Sequence, residues 1–139
     1  MNHLQTGPAL IIFRIIFYVC SVYFLLMGIG MILFPHLLVK GVAGAEVSPV
    51  ILGMLRGVGG AIIPYALLYY LTSRNPHSRR WGLLIIALAN VVAVILDISS
   101  VFLGEYKLSY ALLDLPVELL SLTGIGIIWY RIRKEEGNR

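Results

Sequence analysis

Four apolar runs, at about residues 9–34, 49–71, 81–103 and 110–130, constrain this chain more than any other feature. A helix rises ~1.5 Å per residue, so each run is about long enough to cross the ~30 Å hydrocarbon core of a bilayer. Together they use most of the 139 residues and leave no room for a separate soluble domain. Only 13% of the residues are charged, whereas soluble domains carry about 25%. The expected fold is therefore all-α: a polytopic membrane protein in which residues 1–139 form one four-transmembrane-helix bundle.

Local signals mark the helix ends. Thr6-Gly7-Pro8 and Ser48-Pro49 each place a cap residue before a proline suited to the first helical turn. Pro35 ends the first run, and Asn75-Pro76 breaks the chain between the second and third. Residues 36–47 read as a mixed connection, Gly104–Lys107 as a turn, and Arg131–Arg139 as a frayed tail. The first run is too long for a signal-peptide core and no basic residue precedes it, so Ala43-Gly44-Ala45 is not expected to be cleaved.

Lysine and arginine outside the runs set the orientation. Arg74, Arg79, Arg80, Arg131, Arg133, Lys134 and Arg139 lie toward one side, against Lys40 and Lys107 toward the other. The positive-inside rule then places both termini in the cytoplasm of a multi-pass inner-membrane protein. Tyr69, Tyr70, Trp81, Trp129 and Tyr130 fall near that edge, where an aromatic belt is expected. The basic balance is a topology signal and gives no reason to expect nucleic acid.

Ionisable residues inside the runs carry the functional information, because such groups must face the bundle interior or water. Arg56 stands in a glycine-rich stretch of the second run, Asp97 in the third, and Asp114 and Glu118 in the fourth. By helical rise all four fall in the outer half. Each would cost ~2.5–3.5 kcal/mol facing lipid at a helix centre, which predicts a buried cluster with Arg56 paired to a carboxylate. The two acids in excess would then be protonated or reached by water. Asn90 shares a helix face with Asp97, and Tyr110, Asp114, Glu118 and Ser121 form an inward stripe if the fourth helix starts near Tyr110 and distorts at Pro116. A start at Pro116 would leave Asp114 as a surface cap and a helix only roughly 21 Å long. Gly53, Gly57 and Ala61 form a small-residue face suited to close helix packing. Pro49–Gly59 and Pro116–Gly126 also match at six of eleven positions, a weak internal repeat.

Leu55-Arg56-Gly57, the basic turn from Ser73 to Arg80, and Leu113-Asp114-Leu115 resemble the small four-helix bacterial membrane proteins of the DoxX-like group and their relatives. The resemblance covers most of the chain through short motifs. It implies the four-helix architecture and adds little about activity.

Nothing in the sequence has the spacing of a nucleophile–base pair. Cys20 is isolated and His3, His36 and His77 have no ligand spacing, so no catalytic residue, metal site or cofactor is expected. The favoured reading is a non-enzymatic binding or structural membrane subunit, with membrane lipids, further copies of itself or a larger membrane complex as partners. Proton- or ion-coupled transport by a homo-oligomer is the alternative, and an intramembrane isomerase with Arg56 as electrostatic stabiliser comes third.

Overall fold

The structure, a computed structural model, describes residues 7–43, 48–76, 78–104 and 108–137. Side chains 40–43, 109–111, 113 and 135 lie outside that description, as do Thr6, His3, His77, Lys107 and the Tyr110 side chain of the expected inward stripe. The elements are α1 (Pro8–Leu33), α2 (Pro35–Ala43), α3 (Pro49–Arg74), α4 (Arg80–Phe102) and α5 (Leu108–Gly137). Among the described residues, four helices are long and apolar enough to cross a membrane.

Helix ends follow local chemistry. Pro8 and Pro49 occupy first-turn positions, where a missing N–H costs nothing, and the Ser48 hydroxyl accepts from the Ile51 amide at 3.4 Å. The α4 terminus closes on Gly104, whose φ of 74° suits glycine and whose amide bonds to the Val101 carbonyl. Two stretches differ from the sequence expectation. The connection after Pro35 is helical to Ala43, and α5 runs on through the supposed tail to Gly137. In α5, Pro116 removes one backbone donor yet the helix continues through it from Leu108.

α1 lies between α3 and α5, and α4 packs on the other side of α5. Gly7 beside Arg131, the Arg14 guanidinium bonded to the Arg74 carbonyl, and the Arg80–Glu136 ion pair mark one end, called proximal here. α3 and α4 adjoin next to their connecting turn, where a Cβ on Gly82 would stand 2.6 Å from Thr72 Oγ1. Farther along they have little contact, which leaves a seam that opens distally.

The core has the same asymmetry. Leu10, Phe13, Phe17, Tyr69, Leu83, Ile86, Ile128 and Ile132 are buried together in the proximal half, with Phe17 against Tyr69 at a ring separation of 5.0 Å. Tyr69 is thus part of the core and not of the aromatic belt, while Trp81 and Tyr130 are exposed. In the distal half α3 crosses α1 closely at Gly28 and Gly59, with Ile63, Met31 and Ile32 packed around the crossing. Large apolar side chains such as Ile15, Leu26, Leu88 and Phe102 point outward, as a lipid-facing surface requires.

Candidate functional site

Helical periodicity assembles the site. Residues four apart share a face, so Asp114 and Glu118 of α5 project together, and so do Asn90, Ala93 and Asp97 of α4. The structure turns both faces toward the α3–α4 seam. Two adjoining cavities result, of about 400 and 500 Å³. Phe24, Val58, Ile62, Ala93 and Glu118 line both. The smaller is otherwise largely apolar and reaches Tyr65 and Asn90, while the larger holds Tyr23, Met27, Met31, Asp97, Ser100 and Asp114.

Its floor is a hydrogen-bonded node linking three helices. The Asn90 amide nitrogen lies 2.6 Å from Tyr69 Oη, 3.0 Å from Tyr65 Oη, 3.3 Å from Ser121 Oγ and 2.7 Å from the Ile86 carbonyl. That carbonyl fixes the amide orientation, since two oxygens would not approach so closely. Tyr69 Oη and Ser121 Oγ are 2.7 Å apart. Asn90 is fully enclosed, yet its Oδ1 has no partner among the described residues.

Above the floor the carboxyls are only partly satisfied. The Tyr23 hydroxyl donates to Asp114 Oδ1. Asp97 Oδ2 and Glu118 Oε2 are buried without a hydrogen-bond partner among the described residues, and Glu118 is only 6% exposed. Buried polar atoms are ordinarily bonded, so unpaired acceptors at a cavity wall are where an incoming donor would be held.

Arg56 does not join this group. Its side chain is exposed, and no carboxylate pairs with it among the described residues, so the expected Arg–carboxylate cluster is absent. The reason is geometric. Val58, which lines both cavities, follows Arg56 by two residues, and that step turns an α-helix by ~200°. With Val58 facing the cavity, Arg56 is carried to the opposite flank of α3. The glycine face is displaced likewise. A Cβ on Gly53 or Gly57 would meet nothing within 4 Å and Ala61 is exposed, so close packing within the chain falls to Gly59.

Tyr23, Tyr65 and the apolar cavity wall are absent from the sequence expectation, and Tyr69 is expected there only in the aromatic belt. A phenol in the middle of an apolar run was the available signal, because its hydroxyl needs a partner in hydrocarbon. Cys20 is buried, with its sulfur 3.8 Å from the Val117 carbonyl. Among the described residues no three His, Cys, Asp or Glu side chains are grouped so as to hold a metal ion.

Four membrane-length helices point to a multi-pass membrane protein, with a largely apolar, carboxyl-bearing cavity opening between two of them. No protein-family model, curated protein or solved structure matches the chain. The likeness to DoxX-like proteins therefore extends to a largely apolar four-helix architecture and no further.

Proposed function

We propose that the protein is a non-enzymatic binding protein of the inner membrane, with both termini cytoplasmic, that takes up an amphiphile from the bilayer through the distal α3–α4 seam. One observation carries this reading: the cavity behind the seam combines an apolar wall with Glu118 Oε2 and Asn90 Oδ1, which are buried and have no partner among the described residues. Ligand sites usually pair an apolar lining with a few placed polar groups. The alternative, proton or ion transport, has less support. Beneath Tyr69 the bundle is filled by Phe13, Phe17, Leu83 and Ile128, which gives a cavity closed at its floor.

Ala93 lines both cavities and offers the test. In nanodiscs, wild-type protein should bind a spin-labelled single-chain amphiphile saturably, and Ala93→Phe should abolish saturation while the protein remains folded by circular dichroism. Equal binding by the two proteins would refute the reading.

A further inference from the structure

The polar chemistry of the cavity is one-sided. Asp97 Oδ2, Glu118 Oε2 and Asn90 Oδ1, on two helices, have no hydrogen-bond partner among the described residues. Of the hydroxyl donors on the walls, Tyr23 is bonded to Asp114, Tyr65 lies 3.4 Å from the Ile86 carbonyl, and Ser100 adds one uncharged hydroxyl. Among the described residues neither cavity is lined by lysine, arginine or histidine, and Arg56 faces away from both. Three carboxyl groups on α4 and α5 therefore share a space in which no countercharge is found among the described residues.

An anion would meet those carboxyls as like charges. A hydroxyl head offers one hydrogen to a surplus of acceptors, whereas an ammonium offers three together with the missing charge. The remaining wall suits such a head. Phe24 stands edge-on to Tyr23 at 5.4 Å and to Tyr65 at 5.2 Å, which presents aromatic surface beside the acids. Val58, Ala61, Ile62 and Ala89 supply an apolar bed for an attached chain.

Resting on the binding reading above, we propose that the head group selected by this cavity is a protonated amine, carried on an aliphatic or aromatic body. The amine can come from a single-chain lipophilic amine or from the ethanolamine head of a phospholipid. Glu118 is the principal partner because it alone among the acids lines both cavities and is almost fully enclosed. Asp97, nearer the distal opening, is the second.

Equilibrium dialysis of dodecylammonium, dodecanol and dodecyl sulfate against phosphatidylcholine nanodiscs, corrected with empty discs, separates the two readings. Charge-assisted hydrogen bonds predict dodecylammonium to bind about ten-fold or more tightly than dodecanol. Glu118→Gln should remove most of that preference, Asp97→Asn part of it, and Arg56→Ala none. The comparison of head groups on the wild-type protein stands even if a variant fails to fold. Competition by phosphatidylethanolamine in the disc would assign the amine to a lipid, and lack of competition to a free single-chain amine. Saturable binding with equal affinity for amine and alcohol, or a preference for sulfate, would overturn the amine assignment while leaving amphiphile binding intact. No saturable binding of any probe would overturn both.

Discussion

Gly28 and Gly59 bring α1 and α3 into backbone contact: a Cβ on Gly59 would stand 2.7 Å from the Gly28 carbonyl oxygen, and one on Gly28 would stand 2.9 Å from that of Gly59. Small residues at such crossings let helices approach closely in lipid, where packing replaces the hydrophobic effect as the source of association. α3 packs more extensively on α1 than on any other helix, and this crossing sits beside the cavity wall that α3 supplies.

Gly59→Ala should therefore destabilise the protein by ~1–3 kcal/mol, because the clash is with backbone and with Met31 Cβ at 2.8 Å and cannot be relieved by a side-chain rotation. Gly53→Ala and Gly57→Ala should instead be neutral or stabilising by ~0.5–1 kcal/mol, as alanine favours the helix and meets open space. Reversible unfolding in mixed micelles compares all three directly. A loss at Gly53 or Gly57 equal to that at Gly59 would contradict the packing described.

The Asn90 node predicts a second stability effect. Asn90→Leu leaves the Tyr65, Tyr69 and Ser121 hydroxyls without their shared donor, and polar contacts between membrane helices are worth ~0.6–2 kcal/mol. Ser121→Ala removes fewer of these bonds and should cost less. The same unfolding assay reads both, and an unaffected Asn90→Leu protein would show that the node does not tie the helices.

Arg56→Ala should change stability by no more than ~0.5 kcal/mol, the usual range for exposed substitutions away from specific partners. A buried arginine paired with a carboxylate would behave differently, since removing one partner of such a pair costs ~3–5 kcal/mol. Unfolding of Arg56→Ala and of Glu118→Gln, measured side by side, distinguishes the two arrangements.

The cavity should be reachable from one end only. In a Cys20→Ala background, Ala93→Cys lines both cavities and should react with a charged, membrane-impermeant thiol reagent, whereas Leu83→Cys in the filled proximal core should not. Labelling of Ala93→Cys in intact cells, with none in inside-out vesicles before permeabilisation, would fit termini on the cytoplasmic side. Rapid labelling of Leu83→Cys would show that the proximal core does not exclude water.

The exposed pair between Arg80 and Glu136 illustrates a contact that should matter little. Their side chains are 44% and 53% exposed, and ion pairs in that setting contribute ~0–1 kcal/mol. Glu136→Gln should leave unfolding within ~0.5 kcal/mol of wild type and remove any salt dependence that the pair confers.

What the chain determines by itself is what depends on local geometry. Run length and composition set four membrane-length helices, Ser48 and Pro49 start α3 as expected, and helical periodicity puts Asp114 beside Glu118 and Asn90 in register with Asp97. These relations hold within one helix, where rise and turn are constants. The rotation of each helix about its own axis is not local. It was settled by contacts made across the bundle, Gly28 against Gly59 and Phe17 against Tyr69, which draw Tyr69 into the core and turn Val58 toward the acids. Arg56 shares a depth with Asp97 and Glu118, as helical rise indicates, but depth leaves the facing undetermined. Only the tertiary packing of α3 on α1 placed the guanidinium outside and left the carboxyls around an open cavity.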